Sequence, residues 1–176
     1  MTPSFPDHTV DGFPTPPRTI TDKQGREIEL REATVADVDA LVEMYLTFDP
    51  QDRAQGIPPT GEEAIREWLE LVYEEDALHV IAAHDDETVG HVMLVGDPDG
   101  AYELAIFVLQ AYQGAHIGTE LVRTGLGLAQ ECGIERVWLS VERWNEPAVA
   151  LYEKIGFDTT DSASFEMEMS LRLAQE

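Results

Sequence analysis

The stretch that decides the reading of this chain is Ala101-Tyr-Glu-Leu-Ala-Ile-Phe-Val108, then Leu109-Gln-Ala-Tyr112, then Gln113-Gly-Ala-His-Ile-Gly-Thr119. The first segment is apolar apart from Glu103 and has the length of a buried strand. From Ile117 to about Cys132 the apolar residues recur at helical spacing, with Ile117, Leu121, Leu128 and Cys132 among them. A short glycine-bearing loop therefore joins a strand to a helix N-terminus. The first turn of a helix has unpaired N–H groups and its dipole favours negative charge, so this junction predicts a phosphate or pyrophosphate site. The loop does not follow G-x-x-x-x-G-K-[ST] and no Lys succeeds it, which argues against a nucleotide triphosphate. G-x-G-x-x-G is absent as well.

Beyond the helix lies a second apolar strand, Arg136-Val-Trp-Leu-Ser-Val-Glu142, followed by Trp144-Asn-Glu-Pro-Ala-Val-Ala-Leu-Tyr-Glu-Lys-Ile-Gly-Phe157. Here the chain resembles the GNAT superfamily of N-acetyltransferases. Gln113-Gly-Ala-His-Ile-Gly118 is similar to its pyrophosphate loop, (Q/R)-x-x-G-x-(G/A). Asn145, Ala148, Tyr152 and Gly156-Phe157 match its second signature, N-x-x-A-x-x-x-Y-x-x-x-G-F, at each fixed position. His116 is a departure, because it stands where the loop has its first glycine. If that position requires φ > 0, His carries a cost that Gly does not. The resemblance runs from about Glu27 to the C-terminus.

The resemblance implies an α+β fold, a central mixed and mostly antiparallel sheet flanked by about four helices. It implies acetyl-CoA as acyl donor. The N–H groups of Gln113, Gly114, Ala115, His116, Ile117, Gly118 and Thr119 would hold the pyrophosphate. Strands 101–108 and 136–142 would splay to admit the pantetheine arm against the backbone of Phe107 and Val108, with Asn145 adding a side-chain bond. A primary amine would then attack the thioester directly. An amine attacks only when neutral, and a lysine amine has a pKa near 10.4, so a base is needed. Glu103 is that candidate: it interrupts an apolar run, where burial raises a carboxyl pKa, and it resembles the strand Glu that several family members use. Glu142 is the second candidate. N–H groups near Val108 would stabilise the oxyanion, and Tyr152 stands at the family's general-acid position. The acceptor reads as a protein lysine or N-terminus, because the opening hairpin and Phe48–Pro59 resemble prokaryotic protein-lysine acetyltransferases. A small amine, or a non-catalytic acyl-CoA-binding module, is the alternative.

Composition sets the outer bounds. The chain has 176 residues, enough for one sizeable core. It carries 35 acidic against 11 basic residues, a net charge of −24, and only Lys23 and Lys154 as lysines. The acids are spread along the folded pattern rather than gathered in a tail. Such a surface repels itself at low ionic strength and is a lever halophiles use; it resembles that of proteins from salt-in halophilic archaea. No basic patch exists to neutralise nucleic-acid phosphates, so no nucleic-acid partner is expected. No apolar run of 18 residues and no signal peptide stand out, so a cytoplasmic protein without membrane partner is expected, as monomer or homodimer. Cys132 falls on the apolar face of its helix and reads as a buried thiol. His79, His84 and His91 lack metal-ligand spacing, and no metal is expected.

The remaining chain reads as one domain, residues 18–176, behind a Pro-rich lead-in (residues 1–17) expected to be extended or disordered. Arg18–Thr21 and Arg26–Glu32 flank Asp22-Lys-Gln-Gly25 as a hairpin. Thr34 caps a helix starting near Val35, with Asp37 as its capping-box partner. Thr60 and Glu63 predict a second box, opening a helix from Glu62 to about Glu75. Phe48–Pro59 reads as a loop, with Asp52 and Arg53 as candidate acceptor contacts. Strands over His79–His84, Thr88–Val95 and Phe165–Leu171 complete the sheet. Gly125 and Gly127 each cost about 1 kcal/mol in a helix interior, which close packing on the sheet would explain.

Overall fold

The computed structural model describes residues 4–48, 58–161 and 166–175; Asp52, Arg53 and Phe165 lie outside them. Strands β1 (Arg18–Thr21) and β2 (Glu27–Glu32) form the opening hairpin. Helices α1 (Val38–Leu46) and α2 (Glu62–Glu74) follow. Then come β3 (Ala77–His84), β4 (Glu87–Gly96) and β5 (Tyr102–Val108). Helix α3 (Ile117–Glu131) leads to β6 (Arg136–Glu142), and α4 (Glu146–Ile155) to β7 (Asp158–Asp161) and β8 (Glu166–Arg172). Among the described residues these strands make one eight-stranded sheet, ordered β1-β2-β3-β4-β5-β6-β8-β7. Every neighbouring pair is antiparallel except β5 with β6.

That exception follows from connectivity. Hairpin-sized links join β1 to β2, β3 to β4 and β4 to β5, and only antiparallel strands can be joined that way. Between β5 and β6 the chain inserts α3, a crossover long enough to bring the strand back parallel. Helices cover both faces. Leu104 of β5 and Val92 and Leu94 of β4 pack with Ile117, Leu121 and Leu126 of α3. On the other face Phe107 and Met93 pack with Leu41 and Tyr45 of α1 and Leu69 of α2. Alternation along β5 thus sends Leu104, Ile106 and Val108 toward α3, and Ala105 and Phe107 toward α1 and α2.

The helix starts differ from the sequence reading at one of two places. Thr34 and Asp37 form the expected capping box: the Thr34 hydroxyl accepts from the Ala36 N–H, and the Asp37 carboxylate accepts from the Thr34 N–H at 2.9 Å. The box closes a short 3₁₀ turn, Val35–Asp37, and α1 begins after it. Thr60 does not cap α2. The residue before the helix is Gly61, at φ 91°, and no side chain caps the start.

The two helical glycines of α3 have separate causes. A Cβ on Gly125 would lie 3.1 Å from Val92 Cγ1, so the sheet explains it. A Cβ on Gly127 would lie 1.9 Å from the Pro14 carbonyl oxygen. Gly127 therefore answers to the lead-in and not to the sheet. From Ser4 onward that lead-in lies against the domain. Val10 pairs in parallel with Leu173, its N–H donating to Arg172 O at 2.8 Å and its carbonyl accepting from the Ala174 N–H at 2.9 Å. Ser4 O accepts from Ser170 Oγ and Pro6 O from Arg172 Nε. Backbone pairing, these side-chain bonds and the packing of Val10 and Phe13 on the core hold this segment, so a sequence without apolar period can still dock. Cys132 is exposed, contrary to the buried thiol expected, because α3 ends at Glu131 and the chain turns away there. No helix among the described residues is long and apolar enough to cross a membrane.

Gly127→Ala should lower unfolding stability by about 2 kcal/mol, although Ala is the better helix former by about 1 kcal/mol, because the lead-in must lift off or α3 must shift. Urea titration measures this. Gly125→Ala, a looser contact, should cost less.

Candidate active site

The site starts where the sheet opens. The parallel pairing of β5 and β6 consists of Tyr102 with Val137 and Glu103 with Trp138. Past Glu103 the strands part, leaving Leu104–Val108 and Leu139–Glu142 without each other as partners. Leu109 donates its N–H to Val89 O on the β4 side. Backbone groups alternate along a strand, so the N–H and C=O of Val108 and Ile106 point into the opening, while those of Phe107 point to β4. The Val108 carbonyl accepts from Gln113 Nε2 at 3.0 Å. Of the two residues expected to line the arm, Val108 presents its backbone and Phe107 does not. Phe107 instead buries its ring against Tyr45, Phe48 and Trp68, with centroids 5.5–6.0 Å apart.

At the wide end sits the loop before α3. Gly114 (φ 72°) and His116 (φ 76°) both adopt left-handed backbone. The sequence condition on His116 is therefore met: the position requires φ > 0, and a non-glycine residue there costs about 1–2 kcal/mol. The N–H groups of Gly114 through Thr119 have no hydrogen-bond partner among the described residues. This row, at the positive end of a helix dipole, has the chemistry to receive an anion. Gln113 differs from its neighbours. Its N–H is spent on Gln110 O at 3.2 Å and its side chain on Val108, so it ties loop to strand. Asn145 caps α4, its Oδ1 accepting from the Ala148 N–H at 3.4 Å, which leaves its amide nitrogen for other work.

Glu103 lies at the apex of the opening. It is exposed rather than buried among the described residues, because strand alternation turns its side chain away from α3. Its carboxyl is nonetheless pushed above the usual range, first by partial dehydration between the strands, then by Asp97, Glu166 and Glu168. Asp97 is fixed: it accepts from the N–H groups of Asp99 and Ala101 and, at 2.9 Å, from the Trp138 indole. Glu142 stands at the far end of β6, half-buried, and its carbonyl accepts from the Asn145 N–H. Tyr152 is buried against Phe157, with ring centroids 5.7 Å apart. Burial pushes its hydroxyl up to about 12, so it holds its proton throughout the working pH range.

Sequence reasoning missed a buried polar chain behind this site. Tyr45 Oη lies 2.6 Å from His91 Nδ1, and His91 Nε2 lies 2.9 Å from His79 Nδ1. The assignment that satisfies most groups has Tyr45 donating to His91 and His91 donating to His79. It leaves the His79 Nε2–H facing the Val72 backbone, outside hydrogen-bond geometry. His79 stacks between Tyr73 and His91. Burial holds His79 down at about 4 and His91 well below its usual value. Spacing alone gave no sign of the chain; only the β3–β4 register and the approach of α1 create it. Among the described residues no cluster of His, Cys, Asp and Glu is arranged to hold a metal ion.

Residues 38–157 match the Acetyltransferase (GNAT) family, and the chain belongs to it. An uncharacterized N-acetyltransferase of Mycobacterium tuberculosis is 33% identical over 87 residues, 49% of this chain and 56% of that protein. The chain thus aligns with little more than half the length of that relative. An N-alpha-acetyltransferase of Sulfurisphaera tokodaii is 27% identical over 77% of this chain and 83% of its own. The GNAT domain of S. lividans PAT superposes with a TM-score of 0.77 at 18% identity, over 89% of this chain and 97% of that one. Other structures sharing the fold hold coenzyme A or acetyl-CoA.

The buried histidines give a pH prediction. Both are neutral when folded and take up protons when unfolded, so stability falls as pH drops from about 6.5 toward 4. Each histidine should contribute up to about 1.4 kcal/mol per pH unit. Urea midpoints measured from pH 7.5 to pH 4.5 should trace that fall, and a flat profile would contradict it.

Proposed function

We propose that this chain transfers an acetyl group from acetyl-CoA to a primary amine by direct attack in a ternary complex. The observation that carries the reading is the parting of β5 and β6 immediately past Glu103, with the unpaired N–H row of Gly114–Thr119 at its wide end. The N–H row receives the pyrophosphate. The Val108 backbone pairs with the pantetheine arm, and the Asn145 amide nitrogen adds a bond. These contacts bring the thioester toward the apex.

The amine arrives as an ammonium. Four carboxylates, Glu103, Asp97, Glu166 and Glu168, favour a cation at the apex. Glu103 then takes one proton through intervening water, since it lies about 16 Å along β5 from Val108, and the neutral amine adds to the thioester carbon. The raised carboxyl makes Glu103 a better base than an ordinary glutamate. The Val108 N–H, aimed into the opening, stabilises the oxyanion. The tetrahedral intermediate collapses with cleavage of its C–S bond; Tyr152 protonates the departing CoA thiolate, the surplus proton on the new amide nitrogen passes through water to restore the Tyr152 hydroxyl, and Glu103 releases its proton to solvent. The favoured acceptor is a protein N-terminus or lysine; the N-alpha-acetyltransferase name of the Sulfurisphaera relative supports this. The acid-rich surface is read as adaptation to high salt, with the reaction running in a salt-rich cytoplasm.

The deciding experiment is calorimetric titration with acetyl-CoA in 2 M KCl and in dilute buffer. Binding tight in salt and weaker in dilute buffer supports the site and the salt adaptation together; no binding by folded protein in salt would end the transferase reading. Glu103→Gln should cut turnover about a hundredfold and remove the acidic limb of the pH–rate profile, with acetyl-CoA affinity held. Tyr152→Phe should lower turnover without loss of cofactor affinity.

A further inference from the structure

Cations are scarce here, 11 Lys and Arg against 35 acids, and the loop Gln113–Thr119 contains neither Lys nor Arg. CoA nonetheless brings three phosphate groups toward a chain of net charge −24. The fold supplies positive charge to this place from a distant part of the sequence. The turn of the β1–β2 hairpin is fastened to the loop: the Lys23 N–H donates to the Ala115 carbonyl at 3.1 Å. Arg26 lies over the Tyr112 ring, 4.1 Å from its centroid, and reaches the Ala111 carbonyl at 3.4 Å. The turn itself is rigid. The buried Asp22 carboxylate accepts from the N–H groups of Gln24 and Arg26 at 2.9 Å, and from Arg26 Nε at 2.7 Å.

The basic residues at this end differ in what they have left to offer. Arg26 gives Nε to Asp22 and Nη1 to Ala111 and stacks on Tyr112; its Nη2 has no hydrogen-bond partner among the described residues but is buried, so the side chain acts as a strut and not as an exposed cation. Arg18 and Arg123 both bind Glu120. Lys23 is exposed, and its ammonium has no ion pair or hydrogen bond with any described residue. Its backbone is nevertheless held one hydrogen bond from the N–H row. A free lysine is tethered beside an anion receptor that has no cation of its own.

We propose that Lys23 is a phosphate-binding residue of the CoA site, carried to the loop by the hairpin. The inference rests on the acetyl-CoA reading above and adds a ligand contact that neither signature motif contains. The contact is a charge-assisted one to a phosphate oxygen, partly open to solvent, and therefore salt-sensitive. It also gives the opening hairpin a purpose beyond covering the sheet edge.

The test is calorimetry with CoA on wild type, Lys23→Ala, Lys23→Glu and Lys23→Arg, across KCl from the lowest concentration that keeps the native near-UV spectrum up to 2 M. At low salt Lys23→Ala should bind about three- to tenfold more weakly and Lys23→Glu more weakly still, while Lys23→Arg restores affinity. The differences should shrink as salt rises. Dephospho-CoA as second probe locates the contact: a penalty that vanishes assigns the 3′-phosphate, and one that persists assigns the pyrophosphate. Equal CoA affinity of wild type, Lys23→Ala and Lys23→Glu at low salt overturns the proposal. So does a loss that ignores salt and the sign of the substituted charge. Absence of CoA binding by wild type at every salt overturns the cofactor reading itself, and this inference with it.

Discussion

Two pairs of residues, Tyr102 with Val137 and Glu103 with Trp138, join the two halves of the sheet. Everything at the candidate site depends on that pairing being so short. Were it continued, the backbone of Ile106 and Val108 would be satisfied by β6 and no opening would exist. Because it stops, a strand edge inside the sheet keeps its polar groups free for a ligand. The exposed edge would be costly if left dry, and the Gln113 side chain already takes up one carbonyl of it. The crossover helix α3 makes both features at once. It returns the chain parallel to β5, and its N-terminus points unpaired N–H groups at the opening.

The two ends of the opening are electrically opposite. Helix dipole, N–H row and hairpin cations lie at the loop end, while carboxylates gather at the apex around Glu103. In the proposed reaction this would sort an anionic donor and a cationic acceptor to opposite ends. On a chain of net charge −24, such sorting needs its few cations to be held in place. Asp22 does this by organising the turn that carries Lys23 and Arg26.

Behind the opening, the Tyr45–His91–His79 chain fixes how β4 sits against α1. Tyr45 also packs on Phe107, so a buried polar chain and an aromatic cluster meet at the strand whose other edge faces the ligand. Sheet rigidity at Val108 is thus tied to groups that stay neutral only while buried.

Much of this was legible in the chain itself. Local patterns gave a strand over 101–108, observed as Tyr102–Val108, α3 from Ile117, the 136–142 strand and the Thr34 cap, since period, turn residues and caps act between near neighbours. The two signature segments, 113–118 and 145–157, pointed to the family before any contact was known. What sequence missed is long-range. It placed Glu103 in the interior, whereas the side chain is exposed among the described residues, on the face of β5 turned away from α3. It assigned Gly127 to the sheet, whereas the Pro14 carbonyl claims it. It read Gln113 as an anion ligand, whereas its groups are spent on Gln110 and Val108. It left Lys23 as a turn residue and the histidines as unrelated strand positions. Sequence by itself determined the elements and the family, because hydrophobic period and motif spacing are local. Only the tertiary structure decided which backbone groups stay unpaired, which glycine meets which carbonyl, and which charges converge. Those depend on register and on contacts between residues as distant as Lys23 and Ala115, which no local pattern encodes.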